Sequence, residues 1–219
     1  MLYFVCEQPS FQIGGAIVTK KSPRSAIAII LGIFILPAFS QNRSEPSDTE
    51  DTSEVSGIPA ELMGKAKQGE RLAQYVLGVS YDTGLGVNRN PEEAIRWYRA
   101  AAEQGHATAQ FSLGSMYSEG DGVSQDFEEA IRWYQASAEQ GHGHAQNNLG
   151  DMYSNGQGVS QNYVRAYMWF SLAASGLTDN FKETAIKNRD LTAKKMTSEE
   201  ISEATRLARE WKSGSSKNP

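Results

Sequence analysis

The sequence predicts an all-α fold, a solenoid of stacked helix-turn-helix units with a capping helix before them and a helix pair after them. Three observations support this prediction: a 36-residue repeat, apolar residues at helical spacing in both halves of each repeat, and glycines between the halves. The repeats span 69–104, 105–140 and 141–176, and they align without a gap. Because one repeat cannot bury its own apolar face, neighbouring repeats must stack into a common core.

The two halves of each repeat are predicted to be helices. In the first repeat Ala73, Leu77 and Tyr81 stand at i, i+4 and i+8, which places them on one stripe of a helix. The second half combines aromatic and small residues at helical spacing, such as Trp97 and Ala101. Small residues let two helices approach closely, and aromatic rings fill the space between neighbouring pairs. Each repeat is therefore predicted to be a helix hairpin.

Helix ends are marked in every repeat. Gly84 and Gly86 follow the first helix of the first repeat, where a left-handed residue commonly ends a helix. Asn90 stands three residues before Glu93, the spacing of a capping box in which each side chain bonds the other's backbone N–H. The second repeat keeps this spacing, whereas the third has Arg165 in place of the glutamate. We expect the box in the first two repeats alone.

Non-repeating segments flank the array. Residues 58–68 are predicted to form a lone helix with Pro59 in its first turn, where the missing N–H costs nothing. Residues 177–212 are predicted to form two capping helices that preserve the hairpin architecture, and a capping box of Thr197 and Glu200 opens the second. Such atypical units are needed where one face of a solenoid meets water.

One motif runs through all three repeats. It reads A-Q-x-x-L-G-x-x-Y-x-x-G-x-G-V and is followed by a helix with the pattern A-x-x-W-Y. The motif resembles the Sel-one-like repeat, a relative of the tetratricopeptide repeat, and the ending MTSEEISEATRLAREW is similar to the C-terminal helices of bacterial members. The resemblance implies a right-handed α-solenoid that makes protein contacts, with no chemistry and no cofactor of its own.

Residues 1–40 are predicted to be an N-terminal extension followed by a secretory signal peptide. The apolar run 26–39 is about 21 Å long as a helix, short of the ~30 Å hydrocarbon core of a membrane. Basic residues precede it, and small residues at its end favour cleavage before Gln41. The protein is therefore expected in the periplasm or the medium, without membrane attachment after cleavage. An uncleaved anchor is the alternative, and translation starts at Met1 or at Val18.

Composition limits the possible partners. Residues 41–57 are predicted to be a disordered acidic linker and 213–219 a disordered tail, because neither has enough apolar residues to bury. The chain carries a net charge of −5, which argues against nucleic acid as a partner. Cys6 is the only cysteine, so no disulfide is expected and helix packing alone must hold the exported protein together.

Two features resemble ligand sites but are better explained by the repeat. His142 and His144 stand at a predicted helix start, where their side chains should point apart, and no cysteine is available to complete a zinc site. His106 holds the same repeat position as His142, which favours a helix-start role. The paired glycines follow helices rather than strands and lack the lysine of a phosphate loop. We predict no metal, no cofactor and no catalytic residue.

The candidate partner site is the set of first-helix positions that change from repeat to repeat. Tetratricopeptide geometry, which the resemblance implies, places them on a concave inner face. Tyr75 and Phe111 are aromatic there and predict a groove for a side chain or peptide, anchored near the first two repeats. The candidate residues are Leu72, Tyr75, Val79 and Asp82, then Thr108, Phe111, Ser115, Ser118 and Glu119, then His144, Asn147, Asp151, Ser154 and Asn155.

The expected function is partner binding by an exported scaffold that holds a protein or peptide in its concave groove. One alternative is a cell-envelope enzyme or a regulator of one, although no Ser-His-Asp or Cys-His set supports it. The other is a self-assembling structural protein, in which the apolar third repeat or the terminal helices pair between copies as a homo-oligomer. Turnover assays and the mass of the protein in solution separate these functions.

Overall fold

The computed structural model describes residues 57–212 and 214, and all regular structure within them is helical. The predicted signal segment 1–40, nearly all of the linker 41–57 and most of the tail 213–219 lie outside the described residues. In chain order, the helices of the described part are α1 (Ala60–Lys67), α2 (Arg71–Thr83), α3 (Pro91–Glu103), α4 (Ala107–Glu119), α5 (Phe127–Glu139), α6 (Gly143–Asn155), α7 (Tyr163–Gly176), α8 (Asp179–Ala193) and α9 (Ser198–Lys212).

Consecutive helices pack side by side along the array. The three hairpins are formed by α2 with α3, α4 with α5 and α6 with α7, and they are joined where α3 packs on α4 and α5 packs on α6. The core lies between these layers and is built from repeated side chains, including the fully buried Leu77, Leu113 and Leu149. The prediction of an all-α solenoid is confirmed.

The first helix of each repeat ends at the predicted glycine. Gly84, Gly120 and Gly156 follow α2, α4 and α6 with φ of 77°, 70° and 70°, in the left-handed region that disfavours other residues. Each donates its N–H to the carbonyl four residues back, as Gly84 does to Ser80 at 2.9 Å. The turn of every hairpin is therefore specified locally.

The second helix of each repeat begins at a side-chain cap, but the expected capping box does not form. Oδ1 of Asn90 accepts from the Glu93 N–H at 3.1 Å, and the caps of α5 and α7 are built alike. The N–H of Asn90 itself donates to the Tyr81 carbonyl at 2.8 Å, so the glutamate side chain has no amide to bond. It pairs with an arginine instead. The third repeat therefore loses no cap by having Arg165 at this position.

Each hairpin is closed by an aromatic ring packed on a glycine. A Cβ at Gly78 would stand 2.4 Å from the ring of Tyr98, and one at Gly150 would stand 2.5 Å from the ring of Phe170. The second repeat has the same contact. The missing side chain is what lets the two helices approach this closely. At this position the glycine serves helix packing.

A ladder of glutamine side chains ties each repeat to the helix before it. Nε2 of Gln104 donates to Oε1 of Gln74 at 2.7 Å, and Gln74 in turn donates to the Ala66 carbonyl at 3.2 Å. The second repeat contains the same glutamine ladder. Buried amides that satisfy one another avoid the cost of desolvation and fix the register of neighbouring units. In the third repeat, Gly176 stands where the outer glutamine would be.

The apolar α7 is covered by both C-terminal helices. α8 and α9 each pack on α7 and make only sparse contact with each other. Trp211 of α9 meets the buried Trp169 edge-on, with ring centroids 4.8 Å apart. The expectation of a further hairpin is wrong, because the apolar surface of α7 needs both helices to cover it. The predicted capping box of Thr197 and Glu200 is confirmed, with both of its bonds present.

The first helix covers the open end of the array. α1 begins after Pro59, which is the N-cap and not a first-turn residue as predicted. Ala66 is buried together with Ala73 and Leu77 of α2, and Leu62 packs against them from α1. This contact gives the first repeat the neighbour that its apolar stripe requires.

Candidate interaction surface

The structure buries most of the inner-face candidates of the first repeat. Tyr75 is only 8% exposed, and Val79 and Asp82 are buried as well. The expectation that these three residues line an open groove is therefore wrong. Leu72 does face solvent, with 57% of its surface exposed.

A histidine from the next repeat covers the aromatic ring of the repeat before it. The ring of His106 stacks on Tyr75 with centroids 4.5 Å apart. His142 stacks in the same way on Phe111, at 4.8 Å. Each histidine is held there because its Nδ1 caps the following helix, as His106 does by accepting from the Ala109 N–H at 3.2 Å. The predicted helix-start role is confirmed, and the same ring closes the seam between two repeats.

Asp82 is held inside the first repeat by two partners. The Tyr98 hydroxyl donates to its Oδ2 at 3.2 Å, and the Arg89 guanidinium lies 3.9 Å from its Oδ1. Arg89 also pairs with Asp121 of the second repeat. Asp82 therefore takes part in holding two repeats together and is not displayed to a partner.

The candidates of the second repeat remain partly open. Thr108, Phe111, Ser115 and Ser118 are half-buried, and Glu119 is exposed at the end of α4. The hydroxyl of Ser115 accepts from the Tyr134 hydroxyl at 3.1 Å, so this polar group is already satisfied within its own hairpin. The half-buried Phe111 is the residue of this set with apolar surface to offer.

Four rings meet where the second repeat, the third repeat and α8 converge. The ring of His144 lies 5.9 Å from that of Phe111 and 5.8 Å from that of His142, measured between centroids. Phe181 of α8 meets it edge-on at 4.6 Å. We call these four rings the aromatic cluster. The expectation that the two histidines point apart is wrong, because His142 is an extended N-cap residue with φ −68° and ψ 104°.

Burial keeps both histidines of the aromatic cluster neutral at pH 7. It lowers the pKa of His142 to about 4, and the neighbouring His144 adds to this effect. Burial lowers the pKa of His144 in the same direction. The cluster therefore presents an uncharged surface, on which Phe181 leaves 47% of its area exposed.

A polar group lies one helical turn from His144 and consists of Asn147, Asp151 and Asn188; we call it the Asp151 group. Nδ2 of Asn147 donates to Oδ2 of Asp151 at 3.1 Å, and Nδ2 of Asn188 donates to Oδ1 at 3.4 Å. Burial raises the pKa of Asp151 to about 6, although the bond from Asn147 acts against it. Oδ1 of Asn147 is buried and has no hydrogen-bond partner among the described residues. The group thus holds an unused acceptor.

Sequence reasoning missed two members of this surface, Phe181 and Asn188. Both lie on α8, outside the 36-residue repeat, so the period gives no register for them relative to α6. The available signal is an aromatic residue in the first turn of an otherwise polar helix, DNFKETAIKNRDLTA. Of the remaining third-repeat candidates, Ser154 is half-buried and Asn155 is exposed at the end of α6.

Metal and membrane features can be assessed within the described part of the chain. In residues 57–212 and 214, no group of three or more His, Cys, Asp or Glu side chains is placed to hold a metal ion. No helix of this same stretch is long and apolar enough to cross a membrane. Cys6 and the predicted signal lie outside it.

Comparison with known families identifies the repeating unit. The Sel1 repeat model matches residues 71–106, 107–142 and 143–176. The chain carries three Sel1 repeats. The resemblance seen in the sequence is thereby confirmed, and each match begins at a first helix, two residues after the start of the unit drawn from the sequence. Sel1 repeats generally mediate protein–protein interaction and are typically not enzymes.

Solved structures of Sel1 proteins resemble this chain over part of their length. A Sel1 repeat protein from Oxalobacter formigenes is 40% identical, with a TM-score of 0.55 over 59% of this chain and 50% of that one. The protein c5321, a protective antigen present in uropathogenic Escherichia coli strains and displaying an SLR fold, is 32% identical, with a TM-score of 0.46 over 68% of this chain and 39% of that one. The chain thus spans half or less of the length of these proteins. No match was found among curated proteins.

Proposed function

We propose that the protein is an exported scaffold that binds a segment of a partner protein on the aromatic cluster and the Asp151 group. The observation that carries this proposal is the ring of Phe181, which packs edge-on against His144 and still leaves 47% of its area exposed. The polar Asp151 group lies one helical turn from His144 and sets a polar edge there. The exposed ring of Phe181 supplies the apolar contact beside it.

The chemistry of this surface selects the kind of segment. Phe181 and Phe111 present apolar ring area, whereas the half-buried Asp151 supplies carboxylate oxygens that accept hydrogen bonds. A complementary segment carries an apolar or aromatic side chain and, close to it, an N–H donor from its backbone or from an amide side chain. One apolar anchor combined with directed hydrogen bonds is a common way for a helical groove to hold a short segment.

The regular repeats are poorer candidates for this role. In the first repeat the ring of His106 covers Tyr75 and leaves it little exposed area. Leu72 is exposed, but single exposed apolar residues are ordinary on protein surfaces. The anchor expected near the first two repeats therefore moves to the boundary between the second repeat, the third repeat and α8.

Site-specific photo-crosslinking in cells that produce the full chain tests this surface. A photoreactive phenylalanine analogue replaces Phe181 in one variant and Leu191 in the other. The two positions are matched, because both side chains lie on α8 and each is 47% exposed. We expect position 181 to crosslink to a second protein and position 191 to do so far less.

The outcomes separate the possible functions. Equal crosslinking at the two positions would contradict the proposal that the surface around Phe181 binds a partner. Crosslinks from position 181 to another copy of this chain would instead identify a self-assembling protein. Matching circular dichroism spectra of the two variants establish that neither substitution has altered the helices.

Export is part of the same proposal and has a test of its own. It is supported by the apolar run 26–39 with basic residues before it and small residues at its end. N-terminal sequencing of the protein recovered from periplasm and medium should show Gln41 as the first residue. Recovery with residues 26–39 intact in the membrane fraction would replace the signal peptide with an anchor.

A further inference from the structure

We propose that a groove between α7, α8 and α9 binds the carboxylates of an acidic segment of the partner. The groove encloses about 250 Å³. Three of its lining residues are cations and three carry hydroxyls: Arg189, Arg209 and Lys212, and Tyr167, Ser171 and Thr205. The proposal rests on the proposed function, since it assumes a protein partner, but it concerns a second place on the molecule.

The cations of the groove are incompletely neutralised. Arg189 donates two N–H groups to Oδ1 of Asp190, its neighbour in the chain, at 2.9 and 2.7 Å. Arg209 and Lys212 make no ion pair with any residue in the described part of the chain. The groove is therefore a positive site on a protein whose net charge is −5.

Helix stability explains only part of this arrangement. Arg209 and Lys212 stand in the last turn of α9, where cations interact favourably with the negative end of the helix. That explanation does not extend to Arg189, which lies on α8 and lines the same groove. Like charges brought together from two helices repel each other, and a bound anion would offset that repulsion.

The hydroxyl groups add directed hydrogen bonding to the positive charge. Ser171 and Thr205 donate to carbonyls of their own helices, at 2.8 and 2.7 Å, so their oxygens remain able to accept from a peptide N–H. The Tyr167 hydroxyl makes no hydrogen bond with the described residues and can donate. The groove thus offers cations and a donor for carboxylates, together with acceptors for the backbone that carries them.

An acidic segment fits these groups better than a single small anion. Guanidinium groups bind carboxylates through two parallel N–H bonds, and the groove has two of them. Each exposed ion pair contributes only about 0.2–1 kcal/mol, so useful affinity requires several carboxylates held on one chain.

Fluorescence anisotropy with a labelled octaglutamate peptide at low ionic strength tests the assignment, with octaglutamine as the control peptide. The groove variant of the full chain carries Arg189→Gln, Arg209→Gln and Lys212→Gln. The matched variant carries Lys182→Gln, Lys187→Gln and Lys194→Gln, which remove the same charge from two exposed positions of α8 and from its exposed C-cap. We expect the groove variant to bind about ten-fold more weakly and the matched variant to change by less than about two-fold.

Each other outcome overturns the proposal. Equal losses of peptide affinity in the two variants would mean that long-range charge alone attracts the peptide. If the peptide does not bind the wild-type chain, the groove is not a carboxylate site. If inorganic phosphate displaces the octaglutamate peptide at a concentration similar to that of the peptide, the groove would be assigned to small anions. Arg209→Gln alone, at an exposed position, repeats the test should the triple variant fold poorly. Photo-crosslinking at position 181 does not depend on these cations, so the two proposals fail separately.

Discussion

The first two repeats and the third close differently against the helices that follow them. In the regular repeats a histidine cap stacks on the ring of the preceding unit, as His106 does on Tyr75. In the third repeat Asn147 replaces that ring, and Gly176 replaces the outer glutamine of the ladder. The apolar α7 is instead packed through Trp169 and covered by α8 and α9. Contacts that recur with the 36-residue period close the regular units, whereas the third unit depends on helices that lie outside the period.

The largest effect on stability is expected at the tryptophan of the third repeat. Trp169 is 2% exposed and packs on Trp211, whereas Trp133 at the equivalent position is half-buried. We expect Trp169→Ala to lower the free energy of unfolding by about 3–5 kcal/mol and Trp133→Ala by about half as much. Urea denaturation followed by circular dichroism measures both. Equal losses would mean that the two regions are packed alike.

A second pair of variants compares Tyr75 and Asn147, which share one repeat position. Tyr75→Ala removes a buried ring from the seam of two repeats and should lower the free energy of unfolding by about 2–4 kcal/mol. Asn147→Ala removes a buried acceptor that has no partner among the described residues, and should change it by less than about 1 kcal/mol. Urea denaturation at pH 7 measures the free energy of unfolding of both variants. A large loss in Asn147→Ala would show that its bond to Asp151 holds α6 in place.

Two glycine substitutions are expected to act in opposite directions. An added Cβ at Gly150 would stand 2.5 Å from the Phe170 ring, whereas one at Gly64 would have nothing within 4 Å. Gly150→Ala should therefore lower the free energy of unfolding by about 1–3 kcal/mol through overpacking. Gly64→Ala, in the middle of α1, should raise it by about 0.5–1 kcal/mol through helix propensity. Melting temperatures of the two variants test the signs, and a stabilised Gly150→Ala would contradict the close helix contact.

The effect expected from Asp151→Asn depends on pH. Burial raises the pKa of Asp151 from 3.8 to about 6, so the native carboxyl binds its proton more tightly than the unfolded one. Its contribution to stability is present at low pH and is lost as pH rises through 6. Asp151→Asn should therefore raise the free energy of unfolding by roughly 1–2 kcal/mol at pH 7 and leave it almost unchanged at pH 3.5.

The histidines of the aromatic cluster titrate with the opposite sign. A lowered pKa makes the native protein resist protonation, so His142 and His144 remove stability as pH falls below 6.5. Wild type and Asp151→Asn share both histidines, and this contribution cancels in the difference between their denaturation curves. If Asp151→Asn raises the free energy of unfolding by the same amount at pH 7 and pH 3.5, the raised pKa of Asp151 is contradicted.

The helices of the array could be predicted from the sequence because their signals are local. The 36-residue period, the left-handed glycines such as Gly84 and the caps such as Asn90 each act within a few residues of where they stand. The capping box failed because the N–H of Asn90 is taken by Tyr81, a contact set by how the chain returns after the turn. The prediction of how α8 and α9 pack failed because neither helix belongs to the 36-residue repeat.

The candidate surface was predictable only where its residues lie on the first helices of the repeats. His144, Asn147 and Asp151 were found as non-repeating positions on the third first helix, and the structure gathers them with residues of α8. Tyr75 was misassigned because its burial depends on a ring from the next repeat. That contact is fixed by the rotation between successive units, which a sequence period does not contain. Phe181 was missed for the same physical reason.

The glutamine ladder sets limits on how such an array can lengthen by gene duplication. Gln110 reaches the Ala102 carbonyl of the unit before it, and Gln140 bonds Gln110 within its own unit. An internal copy of the first or second unit would restore every one of these bonds at both of its boundaries. A copy of the third unit placed inside the array would bring Gly176 with it and would lack the bond that Gln140 makes to Gln110 in the second unit. Duplication of the first or second unit therefore preserves the glutamine ladder, whereas duplication of the third unit interrupts it.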